Sequence, residues 1–151
     1  MTINYSKKVI DHFLHPKNQG KMKNPDGIGK VGNISCGDVM YFYIKVKDGI
    51  ITDVKWETLG CAAAIAVSSI VSEMVKNKKI EYAAKLTNKD VIKGLGNLPP
   101  LKIHCSLLGI DSLDEAIYDY MSKNGIKTPE KIQKNHEKQQ KILENLGGNN
   151  E

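Results

Sequence analysis

Arginine is absent from this chain. All 22 basic residues are lysine, which removes the planar, bidentate side chain that usually reads phosphates and guanine edges. The lysines are interspersed among 17 acidic residues, and no stripe combines basic with aromatic side chains. The net charge of +5 therefore reads as a solvated surface, not as a face for nucleic acid. Long apolar runs are missing too: no stretch approaches the roughly 20 residues needed to span a bilayer. The opening MTINYSKKVIDHF carries no apolar signal region. The expectation is a cytoplasmic protein with no membrane partner. Cysteine is scarce, three residues without regular spacing, which argues against a disulfide framework and for reduced thiols. The paired C-x2-C knuckles of a structural zinc site are also missing.

What is present suits one globular domain with a real core, at 40% hydrophobic and 26% charged over 151 residues. In NYSKKVIDHFL, residues 4–14, the apolar residues fall at helical spacing, through Tyr5, Val9, Ile10, Phe13 and Leu14. MYFYIKVK and IITDVKWE alternate, are rich in β-branched and aromatic residues, and meet at Asp48-Gly49, a strong hairpin signal. GKVGNIS upstream supplies a third antiparallel strand. From Gly60 the chain turns alanine-rich, and AAAIAVSSIVSEMVKNK reads as a buried helix. IEYAAKL and NKDVIKGL suggest short helical pieces. Asn97-Leu98-Pro99-Pro100 should be extended, since proline restricts itself and its predecessor. LLGIDSLDEAIYDYMSKNG reads as a helix ended by Gly125, its start either late, at a Ser112–Glu115 capping-box spacing, or early, near Cys105. The final stretch, with Ile132, Ile142, Leu143 and Leu146 among polar residues, reads as a solvated helix or a partner-contacting tail.

The three cysteines all stand at junctions between these elements. Cys36 shares a tight turn with Asp38 across a single glycine. Cys61 directly precedes the long helix, where the macrodipole and unpaired amides favour thiolate, the form that binds metals and attacks sulfur. Taken alone, Cys61 reads more readily as a small buried apolar residue. Cys105 follows the proline segment and has His104 beside it; neighbours on a helix point in different directions, so joint ligation by both does not follow from adjacency. His104 alone reads as a polar residue bonded to backbone. His12, His15 and His136 look unremarkable.

Counted together, three cysteines, His104 and Asp38 make a set of three sulfurs plus one oxygen or nitrogen. Thiolates select zinc, Cu(I) or iron–sulfur clusters. Widely separated single ligands mean that the fold assembles the site. A hard aspartate is weakly held against iron, which suits a site that must release what it holds.

These residues and their settings resemble the iron–sulfur cluster assembly scaffold family of the IscU and NifU N-terminal type. The matching motifs are Cys36-Gly37-Asp38, GCAAAIAVSS from Gly60 to Ser69, and LPPLKIHCS from Leu98 to Ser106, with NYSKKVIDHFLHPKNQG similar to the family's opening helix. The likeness covers roughly residues 2–123 in order. It implies an α+β fold, a three-stranded antiparallel sheet with helices packed on it, followed by a helical C-terminal tail: a scaffold domain over 1–126 and a polar tail over 127–151. It also implies a nascent, transient [2Fe–2S] cluster held by Cys36, Asp38, Cys61 and Cys105, with His104 as an alternative ligand. The implied sulfur source is a cysteine desulfurase, with Cys105 or Cys36 accepting persulfide, and the implied recipients are apo iron–sulfur proteins. Leu98-Pro99-Pro100-Leu101-Lys102 looks like the family's recognition motif for an Hsp70-type chaperone with its J-type co-chaperone, although Leu101 stands where the family usually has valine. The implied role is that of a carrier and not a turnover enzyme.

Two other classes compete. A zinc-dependent sulfur acceptor of the SufU type would use the same four ligands around Zn2+, but such relatives carry an insertion between the second and third cysteines and lack the histidine before the third. This chain has His104 and no evident insertion. A Cys/His hydrolase would need an oriented base and an oxyanion hole, and nothing in the sequence signals either. The oligomeric state is left open, a homodimer included.

Overall fold

A computed structural model describes residues 4–33 and 37–147. Helix α1, Lys7–Leu14, starts where Ser6 caps it by accepting from the Val9 amide, so its first turn begins three residues later than the periodicity suggested. Three strands follow: β1 Gly27–Asn33, β2 Asp38–Lys47 and β3 Ile50–Leu59, antiparallel in the order β1-β2-β3. Asp48 and Gly49 take φ of 53° and 75°, the left-handed pair of the hairpin turn that matches strand twist. Period-two alternation sends Met40, Phe42, Ile44, Val54 and Trp56 into the core. The opposite face carries Tyr41 and Tyr43 in a parallel stack, with the Tyr43 hydroxyl donating to Glu57 over 2.8 Å.

All helices lie on the buried face. Helix α2, Ala62–Val75, is buried nearly all round and packs against α1, β3 and α5. Short helices α3 Ile80–Ala84 and α4 Asn88–Gly94 lead to a 3-10 turn, Pro100–Lys102, and then to α5, Ile103–Lys123. Pro99 is extended as expected, at ψ 143°, but Pro100 is not. It opens the 3-10 turn, because only a residue preceding proline is barred from helical ψ, and proline at a first helical position needs no donor. Helix α5 starts early. Ser112 lies inside it and donates to the Leu108 carbonyl, so the capping-box spacing is fortuitous. At the far end Gly125, at φ 65°, closes a Schellman arrangement with the Ile126 amide on the Met121 carbonyl. Helix α5 crosses β1 so closely that a Cβ on Gly29 would overlap the Ser112 carbonyl, which accounts for a glycine inside a strand.

The last helix, α6 Glu130–Gly147, departs from the solvated one of the two readings, solvated helix or partner-contacting tail. It packs along α5. Ile132 is fully buried, Lys131 forms an ion pair of 3.1 Å with Asp114 and donates to the carbonyls of Ala84 and Leu86, and Asn135 donates to Asp114. His136 stacks on Tyr118 with centroids 3.6 Å apart and meets Glu115 at 3.1 Å. Lys138 and Gln139 reach Asp111. Carboxylates buried on α5 thus find their partners on α6, which apolar spacing along the chain does not register. No helix among the described residues is long and apolar enough to cross a membrane.

Candidate metal centre

Three elements deliver one side chain each to a common point. Asp38 is the first residue of β2, Cys61 is the N-cap of α2, and Cys105 lies in the first turn of α5. Their ligand atoms all fall within 4.8 Å of one another. Cys61 Sγ is 3.9 Å from Asp38 Oδ2 and 3.8 Å from Cys105 Sγ. The Cys61 side chain makes no capping hydrogen bond and turns to these two groups instead. Gly60 makes the approach feasible: a Cβ there would sit 2.9 Å from Ala64 Cβ and 3.1 Å from Asp38 Cγ. The backbone beside Cys61 therefore has no room for any side chain.

The imidazole of His104 turns back along the helix, its Nε2 3.6 Å from Cys105 Sγ. Adjacency on a helix thus proves compatible with a shared focus, although His104 stands outside the mutual triplet. Cys36 lies outside the described residues. In the proline segment, Leu98 is buried in the core, Leu101 is 71% exposed, and Lys102 turns to the thiols.

Electrostatics mark the cluster as unfinished. Burial pushes the Cys105 thiol well above the ordinary thiol range, and the nearby Cys61 and Asp38 push it further. The Lys102 ammonium is raised, chiefly by the negative charge that Cys61 carries as thiolate. Tyr5 is raised first by burial, with the two thiols adding to the effect. Neither Lys102 nor Tyr5 was picked out for the site from the sequence. Lys102 had a signal, standing three residues before Cys105, one helical turn away; Tyr5 had none. Two soft sulfurs and a hard oxygen in van der Waals contact, without strong hydrogen bonds among them, can do what such a donor set does: lose protons and close around a thiophilic cation.

Residues 4–127 match the family described as the NifU-like N terminal domain. The chain belongs to that family. Among NifU-like relatives, the iron-sulfur cluster assembly scaffold protein IscU 1 of Archaeoglobus fulgidus is 56% identical over 121 residues, covering 80% of this chain and 79% of that protein. The IscU scaffold protein of Escherichia coli K12 is 50% identical over 127 residues, covering 82% of this chain and 98% of that protein. The fold is shared with the N-terminal NifU-like protein of Brucella abortus, at a TM-score of 0.66 and 19% identity over 78% of this chain and 94% of that one. A putative scaffold protein for the SUF system from Fervidobacterium islandicum matches at a TM-score of 0.60 and 24% identity, over 75% and 96%. The family match ends before α6 begins.

Proposed function

We propose that this NifU-like chain is a scaffold on which a transient [2Fe–2S] cluster is assembled from Fe2+ and desulfurase-derived sulfur and then handed to apo-proteins. The observation that carries the reading is the convergence of Asp38, Cys61 and Cys105, from three separate elements, on one point. The cluster is cargo here, and the protein acts as carrier and not as a turnover enzyme. In this reading residues 1–126 form the scaffold domain, and Cys36, two residues before Asp38 in the chain, supplies the third thiolate. His104, already against the Cys105 sulfur, takes over when Asp38 lets go. Thiolates take up Fe2+; sulfane sulfur arrives as persulfide on Cys105 or Cys36 and becomes sulfide when a reductant supplies two electrons. Lys102 holds Cys61 at the site until iron arrives, while Leu101, exposed beside it, is the part of the proline segment open to a chaperone of the Hsp70 type.

The test is anaerobic reconstitution with Fe2+, cysteine and a cysteine desulfurase, read by absorption and Mössbauer spectroscopy and by iron and sulfide analysis. Equal iron and acid-labile sulfide with a [2Fe–2S] spectrum, lost when any of the three cysteines is replaced, is the expected result. Tightly held Zn2+, no cluster, and stimulation of the desulfurase would replace this reading with that of a zinc-dependent sulfur acceptor.

A further inference from the structure

Helix α6 runs antiparallel to α5, so its residue numbers climb as those of its partners fall. Lys131 and Asn135 meet Asp114, Lys138 and Gln139 meet Asp111, and Ile142 shares a cleft with His104, Leu107 and Leu108. This progression carries the last turns of α6 to the end of α5 that bears His104 and Cys105. There Ile142 and Leu143 stand across a second cleft from Gly37, Asp38 and Val39. Ile132, Asn135, His136, Gln139, Ile142 and Leu143 recur at three- and four-residue spacing, which places them on one face of the helix. The attachment is largely polar, whereas the two residues facing these clefts, Ile142 and the 60%-exposed Leu143, are apolar. The two clefts, about 320 and 250 Å3, each have room for several waters at ~30 Å3 apiece. The helix end therefore stands off the ligands as a wall and does not plug them.

We propose that the last turns of α6 form the outer wall of the metal centre. Ile142 and Leu143 screen the flank of Asp38 and His104, slow the escape of a bound cation towards competing ligands on that side, and leave the flank of Leu59 and Leu101, 74% and 71% exposed, as the side for exchange. This rests on the metal-site reading above. It goes beyond it because α6 lies outside the residues matched by the family. An apolar shell controls solvent access to a metal and hence the rate at which chelators reach it.

The experiment uses the full-length protein loaded with Co2+ alone and challenged with excess EDTA, following thiolate-to-cobalt absorption. The I142S/L143S variant should release Co2+ about fivefold faster, and Leu143→Trp, which fills the cleft, should slow release, since access past the apolar shell sets the rate. Hydrogen exchange over residues 130–138 reports whether α6 stays docked; should the serines loosen it, the tryptophan variant decides. Release within about twofold of the unaltered protein in the docked variants would overturn the wall, because the shell would then control nothing. Absence of thiolate-to-cobalt absorption in the unaltered protein would overturn the metal-site reading and the wall with it.

Discussion

Helix α5 carries two clusters of ionisable groups, and they differ in one respect. In its middle, Asp111, Asp114 and Glu115 face α6, and each carboxylate has partners: Lys138 and Gln139 for Asp111, Lys131 and Asn135 for Asp114, His136 for Glu115. At its start, Cys105 meets Cys61 at 3.8 Å and His104 at 3.6 Å, contacts too long and too soft to repay burial. Burial raises the pKa in both places, the largest cause for Asp114 as for Cys105. In the middle of α5 the protein's own cations and amides offset part of that cost, so the cluster is a clasp. At the start, among the described residues, Lys102 alone opposes it for Cys105, and no carboxylate–cation clasp forms, so the cluster is a candidate site.

The sharpest way to break this comparison is to remove one sulfur. Cys105→Ala should lower metal affinity by more than the roughly 10–100-fold that changes outside the ligand sphere cost, while taking only about 1 kcal/mol from the apo fold. Metal titration and urea unfolding read the two effects separately. If the apo fold collapses and metal affinity survives, the cysteine belongs to the core and the comparison fails.

Lys131→Met should do the opposite. It strands a fully buried carboxylate and should cost about 3–5 kcal/mol at neutral pH, visible in urea unfolding, with metal binding in the folded fraction unchanged. Asp114→Asn sharpens the same point through pH. Burial lifts the Asp114 carboxyl from 3.8 to about 6. Between these values the folded protein holds a proton that the unfolded chain has released, so stability falls as pH rises through the window. The asparagine variant should erase that fall, roughly 2–3 kcal/mol at about 1.4 kcal/mol for each tenfold change in proton affinity, since Lys131 keeps the Ala84 and Leu86 carbonyls as acceptors. An unchanged pH slope in the variant would place the proton elsewhere.

The smallest effect concerns release. Asp38→Ala, by removing the hard ligand, should lengthen the lifetime of a reconstituted cluster and slow its transfer by about two- to fivefold. Decay of the cluster spectrum and transfer to an apo-ferredoxin measure it. A shorter lifetime would make Asp38 a stabilising ligand and not a releasing one.

The contrast also explains what could be read in advance. The hairpin at Asp48-Gly49, the buried helix after Gly60 and the donor types that converge at Asp38, Cys61 and Cys105 were legible, because turn chemistry, apolar periodicity and thiol chemistry are properties of short stretches. The start of α5 remained ambiguous because Ser112 and Glu115 mimic a cap that tertiary packing overrides. From the sequence α6 reads as solvated or partner-contacting, because it is held by Lys131, Asn135, His136 and Gln139, polar residues that look solvated until their partners on α5 are known.

The sequence by itself determined which donors the protein offers and that Asp38, Cys61 and Cys105 each stand at the edge of an element. Only the tertiary structure decided that Asp38, Cys61 and Cys105 meet within 4.8 Å, that Lys102 and Tyr5 join them, and that α6 ends beside them. Those facts depend on how α5 crosses the sheet and which way α6 runs along it. Such contacts lie tens of residues apart in the chain, and no local pattern encodes them.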